Sequence, residues 1–390
     1  MTTETAAPAA ALTDELTAAL AGTDPGAAVD MLRSMLEIPS PSGEEGPLAR
    51  HLADVMRGLG LTARIDDAGN VIGETPARPG PRIMLLGHMD TVPGQLPVHL
   101  EGGRLHGRGA ADAQGPLAAM VRAVAAHRDF PGQLVVVGVV EEETPKSRGA
   151  VHIGRTLARP DALIVGEPSG WPGIVIGYKG KLDLEYRVDC PATHPSNPVE
   201  KATESAAAFW QDVLELLGPE QGHASFATPG ATLVGMRGDI TEARLDVSIR
   251  TPVGFDQDGF VAALRERDQV RGRDGRLTVV NGVRAVETER RGPVVRALSA
   301  GIRSIGGTPR PTLKTATSDM NTLAEVWDNI PMATYGPGDS ALDHSDEEHI
   351  LVDEYLRGIA VLSTALGELA TLPADSAGAV GSAGELGGVS

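Results

Sequence analysis

The stretch Arg82-Ile-Met-Leu-Leu-Gly-His-Met-Asp-Thr91 decides the fold, because it joins a short apolar run to His88 and Asp90. A run of this length that is apolar on both faces predicts a buried strand of a parallel sheet. In open α/β sheets, ligands bind outside the carboxyl ends of the strands, which is where His88 stands. We therefore expect a functional site at this edge of the sheet.

Three further apolar runs end in side chains of the same chemical kind. They are Leu134–Val140 before Glu141-Glu142-Glu143, Ala162–Gly166 before Glu167, and Pro331–Tyr335 before a Gly-Pro-Gly turn and His344. If these runs form neighbouring parallel strands, two imidazoles and several carboxylates meet at one edge of the sheet. Imidazole and carboxylate are the donors of a zinc site held by nitrogen and oxygen.

Length and composition limit the number of domains and the kinds of partner and metal site that this chain can have. The chain has 390 residues, which exceeds what one hydrophobic core usually supports, so we expect two domains. The net charge of −18 argues against a nucleic-acid partner, since phosphate binding needs a basic surface. The single Cys190 excludes an intrachain disulfide and a cysteine-based zinc site, and it fits a reducing cytoplasm.

The chain shows no targeting or membrane segment. Its N-terminus lacks a cationic stretch followed by an apolar core, which argues against a signal peptide. No apolar run is long enough to cross a bilayer. We therefore expect a soluble, cytoplasmic protein without a membrane partner.

The order of predicted elements indicates an inserted domain. Strand and helix alternate up to about Gly170, which is typical of a parallel sheet, with residues 102–109 as a glycine-rich loop. From Ile174 the order becomes β-α-β-β-α-β, a split βαβ pattern that starts with one long strand, Ile174–Val188, interrupted at two glycines. The parallel pattern then resumes. The predicted segments are a flexible N-terminus (1–25), a large domain in two parts (26–172 and 287–372), an insert (173–286) and a disordered tail (373–390).

Five motifs stand in a fixed order along the chain. They are His88-Met-Asp90-Thr-Val-Pro, Gly107-Arg-Gly-Ala-Ala-Asp112-Ala-Gln-Gly, Glu142-Glu143, Gly166-Glu167-Pro-Ser, and Gly336-Pro-Gly with His344-Ser-Asp-Glu347. Together they resemble the dizinc amidohydrolase superfamily of acetylornithine deacetylase, succinyl-diaminopimelate desuccinylase and aminoacylase. The resemblance implies an α/β catalytic domain with a mostly parallel, phosphorylase/hydrolase-like sheet. It also implies that the insert is an α+β ferredoxin-like lid through which two subunits form a homodimer.

The same resemblance implies a metal centre with two Zn²⁺ ions per subunit, although Co²⁺ or Mn²⁺ also suits such ligands. Asp112 would bridge the two ions, and the Asp112–Ala113 peptide bond would be cis. The ligands that complete the two sites would be His88 with Glu167, and Glu143 with His344. Each ion would then keep a position open for water or substrate, as catalysis requires.

Further residues take catalytic and binding roles by resemblance. Glu142 would be the general base, and Asp90 would accept the second N–H of His88. His194 of the lid would reach across the dimer to the developing oxyanion. The predicted substrate contacts are Arg250, Ser318 and Asn321, with Arg250 holding a carboxylate. One alternative stays open: in a shifted register Glu141 is the base and Glu142 the ligand.

Three stretches indicate a branch of the superfamily. Gly166-Glu-Pro-Ser-Gly-Trp171, Gly177-Tyr-Lys-Gly180 and Thr317-Ser-Asp-Met-Asn321 look like the enzymes that release lysine or ornithine from the γ-glutamyl group of a small acidic amino-group carrier protein. The expected function is therefore this hydrolysis, in amino-acid biosynthesis. Two alternatives are an acetylornithine deacetylase or dipeptidase that acts on free small molecules, and a metal-binding regulator on an inactivated hydrolase fold.

Overall fold

The computed structural model describes residues 14–20 and 22–373. Two predictions therefore lie partly outside the described residues: the disordered tail from residue 374 onward, and residues 1–13 of the flexible N-terminus. Within the predicted N-terminal segment, residues 14–19 form a helix in which Leu16 is fully buried.

The helices and strands follow in chain order. The α-helices are α1 (Asp14–Ala19), α2 (Pro25–Leu36), α3 (Gly46–Gly58), α4 (Gln114–Ala126), α5 (Arg148–Thr156), α6 (Ala202–Leu217), α7 (Gln257–Val270), α8 (Pro293–Ser304), α9 (Asp319–Ala324) and α10 (Val352–Leu369). The strands are β1 (Thr62–Ile65), β2 (Val71–Glu74), β3 (Arg82–His88), β4 (His99–Glu101), β5 (Arg104–His106), β6 (Gln133–Val139), β7 (Ala162–Gly166), β8 (Gly173–Tyr178), β9 (Gly180–Asp189), β10 (Gly230–Gly238), β11 (Glu242–Thr251), β12 (Gly275–Val283), β13 (Val286–Glu287), β14 (Arg310–Lys314), β15 (Met332–Thr334) and β16 (His349–Leu351). In the described residues, every helix is too short or too polar to span a membrane.

A nine-stranded sheet forms the centre of the molecule, in the order β1-β2-β6-β3-β7-β15-β8-β13, with β14 paired to β8. Its four middle strands, β6, β3, β7 and β15, are parallel, which confirms the predicted α/β fold. Alternate side chains of β3 enter two different cores: Ile83 and Leu85 on one face, Met84 and Leu86 on the other. Both faces are covered, and the strand is therefore an uninterrupted apolar run.

The inserted part is a four-stranded antiparallel sheet in the order β10-β11-β9-β12. Leu182, Leu184, Tyr186 and Val188 of β9 alternate with partly exposed residues and pack in a separate core with α6 and α7. The other face of the sheet carries charged side chains. This arrangement confirms the predicted α+β insert.

The predicted single strand Ile174–Val188 is wrong. It is two strands in different sheets, because β8 is buried on both faces in the large sheet whereas β9 begins the inserted sheet. The chain passes between the two sheets at Lys179 and returns at Arg284. The continuous burial of β8 and the alternation of β9 are the physical reason for the break. The inserted sheet therefore spans Gly180–Val283, within the predicted insert.

The predicted glycine-rich loop 102–109 also needs correction. Gly102 and Gly103, with φ of 55° and 77°, form a two-residue turn between β4 and β5. Such a turn needs positive φ at both positions, which glycine adopts without strain. Strand β16 pairs with β5 and completes a three-stranded sheet. This small sheet ties the segment after His344 to the loop before Asp112.

Candidate metal centre

Four of the five predicted ligands come from segments at the carboxyl edge of the parallel strands. His88 ends β3, the glutamate triplet follows β6, Glu167 follows β7, and His344 lies in the segment after β15. Asp112 lies just before α4 and joins two of these residues. Its Oδ1 is 3.2 Å from His88 Nε2, and its Oδ2 is 3.2 Å from His344 Nε2. The two oxygens of Asp112 therefore face two imidazoles.

Two overlapping sets of ligand atoms result. His88, Asp112 and Glu143 form one set, and His88, Glu142 and Glu167 form the other; within each set the atoms lie within 4.8 Å of one another. His344 joins the first set through Glu143 Oε1, 2.8 Å from its Nε2. Nitrogen and carboxylate oxygen are donors that divalent transition metals accept. The donor set thus fits a divalent metal.

The electrostatics of the cluster point the same way. Burial raises the pKa of Glu142 and of Glu167, and further negative charges nearby raise both pKa values again. Burial also acts on Asp112, but hydrogen bonds from His344 and His88 hold its pKa well below the ordinary value. The hydrogen bond to Asp112 raises the pKa of His344 to about 9. A cation bound among these carboxylates would favour their ionised forms.

Asp90 holds the backbone of the second and third members of the glutamate triplet. The Asp90 carboxylate accepts the backbone N–H groups of Glu142 and Glu143 at 3.0 and 3.1 Å. Glu141 has φ of 56° and forms an ion pair with Arg148 at 2.8 Å, so its side chain belongs to neither ligand set. The triplet therefore presents its second and third members to the centre.

One prediction for Asp90 requires correction. Its main-chain carbonyl oxygen, not its carboxylate, is the close partner of His88, at 2.8 Å from Nδ1. The nearer carboxylate oxygen is 3.6 Å away, because both oxygens are oriented towards the glutamate N–H groups. A carbonyl partner still fixes the ring with Nε2 directed at the cluster.

Glu348 is a supporting residue that sequence reasoning missed. It is 1% exposed and accepts the backbone N–H groups of Ala111 and Asp112 at 3.0 and 3.1 Å. Its second oxygen is 2.9 Å from Arg108 Nη1. The Asp112–Ala113 bond is cis, as the resemblance implied. The only signal in the sequence was a glutamate just before the short strand that contains Ile350. The sequence could not indicate its role, because its partners lie more than 230 positions away.

The lid residue His194 is not brought to this cluster. Its Nδ1 is 2.7 Å from Ser196 Oγ, within the exposed loop between β9 and α6. Among the described residues, no hydrogen bond or ion pair connects it to the ligand sets. Its predicted role across a dimer stays a prediction.

Arg250 and Ser318 line a cavity of about 390 Å³ together with Glu142, Glu143 and His344. Arg250 Nη1 donates to Thr317 Oγ1 at 3.1 Å. Burial lowers the pKa of Arg250, although an arginine stays charged at neutral pH. A guanidinium inside this cavity can bind a carboxylate with two parallel hydrogen bonds.

The side chain of Asn321 is bonded to the backbone, and its predicted contact with substrate stays a prediction. It is 1% exposed, and its side-chain amide donates to the carbonyl oxygens of Lys179 at 3.0 Å and Arg284 at 2.8 Å. Its Oδ1 accepts the N–H of Ser318. Asn321 therefore fastens both crossings between the large and the inserted sheet.

Asp319 is a second residue that the sequence did not single out. Its side chain is buried beside the cluster, and Oδ1 has no hydrogen-bond partner among the described residues. Burial raises the pKa of Asp319 to about 7. A carboxylate in this position adds negative potential around His88. The predicted ligands alone do not account for this potential.

Comparison with known proteins agrees with this geometry. A family model described as peptidase family M20/M25/M40 matches residues 84–368. A LysW-lysine hydrolase of Deinococcus radiodurans is 39% identical over 359 residues, covering 89% of this chain and 98% of that protein. A putative LysW-lysine/LysW-ornithine hydrolase of Pyrococcus furiosus is 36% identical, covering 88% and 97%.

Solved structures share the fold at low sequence identity. An M20 family metallo-carboxypeptidase from Sulfolobus solfataricus has a TM-score of 0.73 at 20% identity, covering 88% of this chain and 99% of that chain. A tripeptidase from Staphylococcus aureus has a TM-score of 0.74 at 18% identity, with 89% and 99% covered. Family match, relatives and donor set agree. The chain therefore belongs to peptidase family M20/M25/M40 and is a metal-dependent amide hydrolase.

Proposed function

We propose that the enzyme releases lysine, ornithine or a related diamino acid from the C-terminal γ-glutamyl group of a small carrier protein. The observation that carries the proposal is the 39% identity to a LysW-lysine hydrolase over 98% of its length. Relatives named for LysW-lysine or LysW-ornithine support the same substrate class. The reaction would belong to amino-acid biosynthesis in the cytoplasm.

The proposed cofactor is a pair of Zn²⁺ ions. His88 and Glu167 would hold one ion, Glu143 and His344 the other, and Asp112 both, because each of its oxygens faces a different imidazole. When bound, such a pair polarises the scissile carbonyl and lowers the pKa of a shared water. Glu348 and Arg108 would keep the Asp112 loop in place for both sites.

Glu142 is the proposed general base. Its burial and the neighbouring Glu167 raise its pKa, which brings a carboxylate closer to the pH at which it exchanges protons efficiently. Glu142 would accept the proton of the attacking water and deliver it to the nitrogen of the leaving amine. The ion pair between Glu141 and Arg148 supports this register over the shifted one.

The lid would position the substrate. Arg250 would bind a carboxylate of the released amino acid, next to Ser318 at the cavity wall. His194 would stabilise the oxyanion in the site of a second subunit, so the proposed active form is a homodimer. Two active sites would then depend on one interface.

A substrate comparison tests the proposal. The zinc-loaded enzyme is given either a carrier–lysine adduct or N-acetylornithine, and kcat/KM is measured for each. We expect a higher kcat/KM for the carrier adduct. A higher value for acetylornithine would contradict the carrier substrate and favour a deacetylase of free amino acids.

A further inference from the structure

The positive charges of this acidic chain are unevenly distributed. The net charge is −18, yet residues 290–318 contain six basic residues and no acidic residue. Five of the six are the exposed arginines Arg290, Arg291, Arg296, Arg303 and Arg310. We call this set the α8 cationic face, because it runs along α8 and ends at the start of β14.

These five guanidinium groups are not neutralised by the chain itself. Among the described residues, none of them has a carboxylate within ion-pair distance, and Arg296 donates only to the carbonyl of Arg291. Some other arginines are neutralised within the chain: on the inserted sheet, the partly exposed Arg244 pairs with Glu185 and Asp246. The α8 cationic face therefore has its hydrogen-bond donors available for a partner.

The shape of the face fits a protein surface better than one small anion. Four of the arginines line a cavity of about 430 Å³, with Val295, Pro309 and Pro311 as its apolar part. Arg296 and Arg303 are seven residues apart on one helix, which places them about 10 Å apart along its axis. A single phosphate cannot engage donors over that length, whereas a row of carboxylates on a protein can. Arginine binds carboxylates with two parallel hydrogen bonds.

The face is connected to the metal centre through the backbone. Arg310 N donates to the Pro172 carbonyl at 2.8 Å, five residues after Glu167. Five extended residues span at most about 18 Å, so the end of the face and the strand end with Glu167 are close. Lys314 Nζ, on the same strand, donates to the Pro168 carbonyl at 2.8 Å. A partner that docks on the face would need an extended tail of about this length to reach the centre.

We infer that the α8 cationic face is the docking surface for an acidic protein, which under the proposed function is the folded part of the amino-group carrier. The identity of this partner rests on the proposed function; the acidic character rests on the five arginines. The rest of an enzyme with net charge −18 repels an acidic protein, and the face therefore also selects the orientation of approach.

The test separates docking from catalysis. The variant Arg296→Glu/Arg303→Glu reverses two exposed charges of α8, and Arg128→Glu reverses an exposed arginine between α4 and β6, at the opposite edge of the sheet. Steady-state kinetics are measured with the carrier–lysine adduct and with γ-glutamyl-lysine. For the double variant we expect KM for the adduct to rise about tenfold or more, as for the loss of close charge pairs. We expect unchanged kcat, unchanged kinetics on γ-glutamyl-lysine, and wild-type behaviour of Arg128→Glu.

Kinetics at high salt and direct binding of an acidic polymer test the docking surface further. Raising the salt concentration to about 1 M should reduce the difference between wild type and double variant, since screening then acts within about 3 Å. An unchanged KM for the adduct in the double variant would overturn the inference while leaving the proposed function intact. If wild type does not hydrolyse the adduct, the proposed function fails, and binding of poly-L-glutamate decides the inference. Retention of poly-L-glutamate binding by the double variant, or binding of inorganic polyphosphate only, would overturn it.

Discussion

The metal centre and the inserted lid differ in how their residues are positioned. At the centre, His88 and His344 each lie 3.2 Å from an oxygen of Asp112, and His344 lies 2.8 Å from Glu143. In the lid, Arg250 reaches the edge of the same cavity, whereas His194 bonds only to its own loop. The candidate ligands of the centre are therefore brought together within one chain. For the lid, the proposed role of His194 requires a second subunit.

The difference has a physical origin. Residues at the centre are fixed by parallel strand ends and by backbone donors, such as the two N–H groups that Glu348 accepts. The lid is joined to the large sheet by two crossings, which Asn321 fastens. Rigid support suits groups that must hold metal, and a two-strand connection suits groups that must move to admit a substrate.

The largest expected effect tests which member of the glutamate triplet is the general base. Glu142→Gln should lower kcat by about 10²–10⁴, the usual contribution of general acid–base catalysis, with metal content retained. Glu141→Gln is the matched control and should stay close to wild type, because Glu141 pairs with Arg148. The opposite result, an inactive Glu141→Gln and an active Glu142→Gln, would move the base by one residue.

A second variant tests whether Glu348 holds the proposed bridging ligand Asp112 in place. Glu348→Gln removes one charged acceptor beside Asp112 and Arg108, and we expect metal affinity to fall about 10–100-fold, as for other outer-shell partners. The exposed neighbour Glu347→Gln serves as the control. Metal titration monitored by calorimetry gives both affinities. Equal affinities of the two variants would show that the Asp112 loop holds its geometry without Glu348.

A third variant concerns the lid connection. Asn321→Ala leaves the carbonyls of Lys179 and Arg284 without their donor, and we expect a loss of about 1–3 kcal/mol in unfolding free energy. KM for the small substrate γ-glutamyl-lysine should change little. Thermal unfolding and steady-state kinetics check the two expectations. A large rise in KM with unchanged stability would instead support a contact between Asn321 and substrate.

A fourth variant concerns the pH dependence of the stability of the metal-free protein. Burial raises the pKa of Asp319 from an ordinary value of 3.8 to about 7. Between these values the folded state binds more protons than the unfolded state, so stability falls as the pH rises through this window. Asp319→Asn cannot ionise, and its unfolding midpoint should exceed that of wild type by a few degrees at pH 8 but not at pH 4. The same difference at both pH values would exclude Asp319 as the source.

The sequence predicted the residues that motifs fix and missed those that depend on distant packing. The apolar run of β3 indicated its strand because both faces are buried, and the motif order indicated the ligands. The break at Lys179 was missed because a glycine can interrupt the apolar pattern within one strand or separate two strands, and the sequence does not distinguish the two cases. Glu348 was missed because its partners lie far along the chain, and Asp319 because its burial depends on a cluster assembled from distant segments. Asn321 looked like a ligand contact although its amide binds backbone.

The most direct test of a two-metal centre measures the number of bound ions and the rate of hydrolysis together, as metal is removed and restored. Metal is stripped with a chelator, Zn²⁺ is restored in steps, and ions per chain by native mass spectrometry are compared with turnover of the carrier–lysine adduct. We expect two ions per chain, activity that returns as the ions bind, and loss of both ions in Asp112→Ala. Full hydrolysis by the metal-free enzyme, or unchanged ion binding in Asp112→Ala, would contradict this expectation.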